Sequence, residues 1–220
     1  MNHMLPLALP RVACHALCIS LLLAATPASA ARAQDWEFQV FLNDAPIGYH
    51  RYALRETGTE RELKSEARFD VTLLFINAYS YAHAATERWR GNCLDNLAAR
   101  TDDDGERLEV AATQDRGRLV ISTPRGQDTV NGCVMSFAYW NPEILRQPRL
   151  LNAQTGEYAA VQVTELGEEK ITVRGATVTA RRYRITGTKH PIDLWYSAER
   201  EWLALQSTVN GGRRLRYQLK

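Results

Sequence analysis

Much of what marks an enzyme or a membrane protein is missing from this chain of 220 residues. No apolar run reaches the roughly 20 residues that a spanning helix requires. The four cysteines include no C-x-x-C pair, so redox catalysis lacks its usual dithiol. Of the five histidines, only His50, His83 and His190 lie beyond the first thirty-odd residues. None stands in H-E-x-x-H or at ligand spacing from another, so no metal is expected. There is no G-x-S-x-G elbow, no phosphate-cradling glycine loop and no G-x-G-x-x-G fingerprint. Ser136, between Met135 and Phe137, has no glycine neighbours and reads as an ordinary buried serine. Asp102, Asp103 and Asp104 lack the alternating ligand positions of a calcium loop and read as a hairpin turn. No cofactor is expected.

What is present begins with a leader. Leu17–Ala25 is a short apolar run preceded by Arg11 and followed by the small-x-small sites Ala28-Ser29-Ala30 and Ala31-Arg32-Ala33. That is the layout of a secretory signal peptide, with cleavage expected after Ala30 or Ala33. Cys14 and Cys18 leave with residues 1–33. Neither follows the apolar run as a lipoprotein cysteine would, so a soluble product is expected. Residues 34–220 form one β-rich domain in this reading. After Ala33 the basic and acidic residues number 25 each, so the formal +2 of the full chain vanishes. A neutral, mixed charge set argues against a nucleic-acid partner and against strong attraction to anionic membranes. Export would place the chain in the periplasm.

Cys93 and Cys133 would enter that oxidising space as an even pair. A bridge between them closes a loop of forty-odd residues, which the chain-entropy model values at about 4 kcal/mol. A structural staple is the favoured reading over a free or redox-active thiol pair.

The remainder reads as strands. Trp36, Phe38, Val40 and Leu42 alternate with more polar neighbours, and so do His50, Tyr52 and Leu54, then Leu63 to Leu73. Tyr79, Tyr81, His83 and Ala85 share one face of a fourth strand. Asp102–Gly105 is a hairpin turn between Leu94–Thr101 and Glu106–Gln114. Strands are expected over Leu119–Ile121, Tyr158–Leu166, Lys170–Arg174, Thr177–Thr186, Ile192–Ser197, Trp202–Val209 and Arg213–Leu219. Gly167-Glu168-Glu169, Arg174-Gly175-Ala176 and Asn210-Gly211-Gly212 read as hairpin connections. Asn141-Pro142-Glu143 has the form of an N-cap followed by proline, which predicts a short helix over Asn141–Gln147. The fold class is therefore all-β with one short helix-bearing segment: an antiparallel curled sheet, either a half-barrel or an open barrel.

Two stretches carry candidate chemistry. His83, Glu87 and Trp89 share the face of Tyr79 and Tyr81. A histidine and a carboxylate can make an acid/base pair, but four residues along a strand set them about 13 Å apart. An aromatic wall holding a hydrogen-bonded histidine is the simpler reading, with His83 and Glu87 as weak catalytic candidates. In the second stretch Met135, Phe137, Tyr139 and Trp140 bring apolar surface, and Asn152, Gln154 and Thr155 bring hydrogen-bonding groups. This segment either plugs the open side of the sheet or walls a ligand pocket, and the two are compatible.

Gly132–Trp140 and Leu150–Tyr158, with Pro46-Ile47-Gly48, Tyr81-Ala82-His83 and Glu87-Arg88-Trp89, resemble the DUF6134 family of secreted bacterial proteins. The resemblance covers most of the chain past the leader and implies a periplasmic protein, without an activity. At the level of architecture the chain is similar to periplasmic lipid carriers of the lipoprotein-localisation type, which close an apolar cup with a half-barrel. The expected function is thus non-enzymatic binding of an apolar or amphipathic, lipid-like molecule. Tyr79, Tyr81, Trp89, Met135, Phe137 and Trp140 would line the cup, while His83, Asn152 and Gln154 would orient a head group. The rival readings are a cell-envelope enzyme using His83 as acid or base, and an envelope-assembly partner with no small ligand.

Overall fold

The computed structural model describes residue 1, residues 31–73 and residues 76–220. The leader expected over residues 1–33 lies almost wholly outside them. The amphipathic alternation read in the sequence becomes a run of long antiparallel strands: β1 (Arg32–Leu42), β2 (Ala45–Thr57), β3 (Glu60–Leu73), β4 (Ile76–Arg90), β5 (Cys93–Asp103), β6 (Glu106–Asp115), β7 (Arg118–Thr123) and β8 (Gly126–Asn131). A crossing segment follows, containing a 3-10 turn at Pro142–Arg146 and a small hairpin of β9 (Arg149–Leu151) and β10 (Tyr158–Ala160). The chain then returns through β11 (Gln162–Val173), β12 (Ala176–Thr186), β13 (Ile192–Tyr196), β14 (Trp202–Val209) and β15 (Arg213–Leu219).

Thirteen of these strands make one open antiparallel sheet, ordered β11-β12-β13-β14-β15-β1-β2-β3-β4-β5-β6-β7-β8. The last strand pairs with the first, Phe38 opposite Leu219 and Val40 opposite Tyr217. The described strands therefore start at the middle of the sheet, work outward to β8, cross over, and work back in from β11. Among the described residues no helix is long and apolar enough to cross a membrane.

The period-2 pattern gives the sheet two faces. Phe38, Val40, Leu54, Leu63, Leu97 and Ile121 point inward and are buried; Asp35, Arg51, Lys64 and Arg100 point outward. The curled sheet leaves a concave inner face that must be covered. The crossing segment covers it: Val134, Met135, Ile144, Leu150 and Leu151 are at most 1% exposed. Among the links that tie this plug to the wall are the Cys93–Cys133 disulfide, Leu94 N–H donating to the Val134 carbonyl at 2.8 Å, the Tyr196 hydroxyl donating to the Tyr139 carbonyl at 2.7 Å, and Ser136 Oγ donating to Glu87 Oε1 at 2.9 Å. The cysteine pair is thus a staple.

Gly48 shows how tightly the sheet is wound. Its φ is +151°, and a Cβ there would stand 1.9 Å from the Arg68 carbonyl oxygen. No other residue fits without moving β3. The register slip between Val40 and Phe41 lies directly across from it.

Three local expectations need correction. Gly167-Glu168-Glu169 is not a hairpin. Gly167 takes φ +92° and makes a bulge within β11, which pairs along its length with β12. A glycine with positive φ serves a bulge as well as a reversal, and the pairing partner decides between them. The helix over Asn141–Gln147 is a 3-10 helix, Pro142–Arg146, although its cap is as expected, with Asn141 Oδ1 accepting from Glu143 N–H. Strand β8, Gly-Gln-Asp-Thr-Val-Asn, was not anticipated, since its residues are polar and mostly exposed.

Candidate functional site

Ladder register places the interior residues in rows. Phe38, His50, Ala67, His83 and Thr101 form one inward row across β1 to β5; Val40, Gly48, Phe69, Tyr81 and Asp103 form the next. On the far side of the first row another inward row holds Leu54, Leu63, Glu87 and Leu97. The interior thus has two ends, and they are built differently.

The Glu87 end is packed solid. Trp89 and Met135 are 1% exposed, Trp140 is 6% exposed, and the two indoles meet edge to face at 5.6 Å. Glu87 lies among them. Its Oε2 accepts from Trp89 Nε1 at 3.0 Å and its Oε1 from Ser136 Oγ. Burial raises its pKa to about 7, against the lowering effect of the Ser136 and Trp89 hydrogen bonds. No guanidinium or ammonium is bonded to it.

The histidine end is looser. His50, His83, Tyr81, Tyr79, Phe137, Tyr139, Asn152 and Gln154 all keep partial exposure while facing inward or sitting on the plug. His83 Nδ1 is 2.8 Å from Thr101 Oγ1. His50 Nδ1 is 3.0 Å from the Tyr52 hydroxyl and 3.3 Å from that of Tyr217. The imidazoles of His50 and His83 face each other at 6.5 Å across Ala67. Burial lowers the pKa of His83 to about 4 and that of His50 well below its ordinary value, the latter helped by the charge His83 would carry. Both rings are neutral at pH 7. Burial likewise raises Tyr52, Tyr81, Tyr139 and Tyr217, so their hydroxyls stay protonated and able to donate.

At the rim, Tyr79 Oη donates to Asp103 Oδ1 at 2.7 Å and Gln154 Nε2 to Asp103 Oδ2 at 3.4 Å. Tyr81 Oη donates to Gln154 Oε1 at 3.3 Å. One group in this cluster goes unmet: His50 Nε2 is buried and has no hydrogen-bond partner. A buried polar atom left so costs about 1–3 kcal/mol.

The structure thus divides the sequence-derived residues. It brings Tyr79, Tyr81, His83 and Gln154 together, with Asn152 capping their loop by accepting from Gln154 N–H at 2.8 Å. It places Trp89, Met135 and Trp140 in the packed end, with Phe137 between the plug and its own neighbour Tyr139 at 6.3 Å. His83 and Glu87 bond to different partners and do not meet. Sequence reasoning missed His50, Tyr52, Thr101, Asp103 and Tyr217. The register of a hairpin pair would have found His50, since it shares a face with Tyr52; Tyr217 needs the β15–β1 pairing, which no local pattern reveals. Among the described residues no cluster of three or more metal-ligating side chains occurs.

A recess of about 1280 Å³ lies elsewhere. Ala84, Ala98 and Ala111 form its floor on the outward face, and its charged walls pair across strands, Arg100 with Glu109 at 3.3 Å and Arg51 with Glu37 at 3.6 Å. Trp36, whose Nε1 is buried without a partner, lies along it, but its charged groups are taken up in cross-strand pairs.

A family model described as a domain of unknown function, DUF6134, matches residues 38–220. No curated protein matches the chain. Among solved structures, the chain is similar to a beta-barrel-like protein of domain of unknown function DUF1849 from Brucella abortus. The two share 10% identity at a TM-score of 0.61, over 86% of this chain and 94% of that one. At that identity the likeness is one of fold.

Proposed function

The chain belongs to the DUF6134 family, and from the geometry of its interior we propose that it is a periplasmic, non-enzymatic binding protein for a small amphipathic molecule, held at the histidine end of the open barrel. The observation that carries this reading is the orphaned His50 Nε2, lodged in the part of the interior where side chains stay partly accessible. A ligand polar group bonded there would satisfy it, and the aromatic faces of Phe69, Tyr81 and Tyr217 would take the apolar part. The plug closes the other end, so the ligand enters from the rim formed by Asp103 and Gln154. The disulfide supports export to an oxidising compartment. Acid/base chemistry by His83 and Glu87 has no such support, because each is bonded elsewhere.

Native mass spectrometry of protein purified from the periplasm tests this. The expected result is an adduct of lipid-like mass that is lost in His50→Phe. Bare protein, together with no uptake of a fluorescent alkyl-chain probe, overturns the proposal.

A further inference from the structure

The charges of the histidine end say more about its ligand. Asp103 faces inward at the rim, opposite Tyr81 in register, and each of its oxygens accepts one neutral hydrogen bond. An ionised carboxylate offers about four acceptor sites, so half of this one's capacity is unused. No ion pair reaches it among the described residues. The nearby arginines stand on the opposite face: Arg100 pairs with Glu109 and Arg107 with Asp102, both on outward rows. Glu106, across from Asp103, adds a second acidic group in the same row.

Behind the carboxylate lies an aromatic wall. Phe69 and Tyr81 stack at 5.1 Å, Phe69 meets Tyr217 edge-on at 6.3 Å, and Tyr217 lies 5.7 Å from His50. The negative ring faces attract cations. An anionic head group, whether carboxylate, sulfate or phosphate, would find repulsion at Asp103 and no guanidinium or ammonium to offset it. Resting on the binding function above, we propose that the ligand is an amphiphile with a positively charged head, an amine or quaternary ammonium, whose cation lies between Asp103 and the Phe69–Tyr81–Tyr217 wall.

The test compares three amphiphiles of equal alkyl chain, each below its micelle concentration: dodecyltrimethylammonium, dodecyl maltoside and dodecanoate. Calorimetry on the full folded domain gives the affinities. The ammonium compound should bind at least about tenfold more tightly than dodecanoate. Asp103→Asn should erase that preference. Tyr81→Leu, which leaves the carboxylate in place, should narrow it. Equal or tighter binding of dodecanoate, or a preference that survives Asp103→Asn in a folded variant, overturns the head-group inference and leaves the binding function standing. No binding by any of the three overturns both.

Discussion

The two ends of the interior share strand β4 and the same physical cause, yet they came out opposite. Glu87 and His83 lie four residues apart on one face. Burial favours the neutral form of both, which moves the carboxyl up to about 7 and the imidazole down to about 4. At the Glu87 end every side-chain oxygen of the acid has a donor and the aromatics are packed. At the other end a histidine nitrogen has none, and Tyr79, Tyr81 and Tyr139 keep some surface, although Tyr52, Phe69 and Tyr217 are buried. Trp140 Nε1 at the packed end is also buried without a partner, so what separates the two ends is the accessible surface that His50, His83, Tyr79 and Tyr81 retain.

The sharpest way to break the comparison is to delete one large ring from each end. Trp89→Ala should cost about 3–5 kcal/mol, since it opens a cavity and strips Glu87 of a donor. Tyr81→Leu, at the partly exposed end, should cost under about 1.5 kcal/mol. Urea unfolding of both variants measures the difference, and equal losses would mean the two ends are packed alike.

Next in size are the titrations. Above pH 7 Glu87 is a buried, ion-unpaired carboxylate, while its unfolded form loses its proton near 4.5. The native state holds the extra proton between these values, so stability falls as pH rises from about 4.5 to about 7, by roughly 3 kcal/mol in total. His83 works the other way. The unfolded imidazole takes its proton near 6.5 and the native one only near 4, so stability is lost as pH falls through that window, again by roughly 3 kcal/mol. From about 4.5 to 6.5 the two slopes cancel, and His50 leaves a residual sensitivity to acid. Glu87→Gln should therefore stabilise the protein at pH 8 and steepen its loss of stability in acid. His83→Gln should flatten the acid side. Denaturation midpoints across pH 4–8 check both, and a Glu87→Gln profile parallel to that of the parent would rule out the assigned role.

The smallest effect sharpens the contrast. His50→Phe removes the one unmet nitrogen of the histidine pair but also strips the Tyr52 and Tyr217 hydroxyls of their partner, so gain and loss offset and stability should change by no more than about 1–2 kcal/mol while ligand uptake is abolished. Thermal melts with and without bound probe separate the two effects. A loss of several kcal/mol would show that His50 is structural.

The fold was legible wherever one face of a strand is apolar, because alternation reports burial directly. It failed where that signal is absent. β8 is polar on both faces, and Gly167 looks the same in a bulge as in a turn. The plug was legible from the density of apolar residues around Met135, and the staple from the expectation that Cys14 and Cys18 belong to a leader. The site was legible only along β4, where Tyr79, Tyr81 and His83 recur at every second residue. Its other half comes from β2, β5 and β15, brought there by pairings that link residues as far apart as His50 and Tyr217. Local pattern carries no trace of such a meeting.

The pairing of β15 with β1 has one more consequence. Of the described strands, β1 is synthesised before all the others and β15 after them, so one edge of β1 stays uncovered until β15 is made. Until Leu219 arrives, β1 shows water a row of unanswered amides beside Phe38 and Val40. The central seam is therefore the last to be sewn, and a chain truncated by even its final seven residues would be left open through the middle, with nothing at its rim gone.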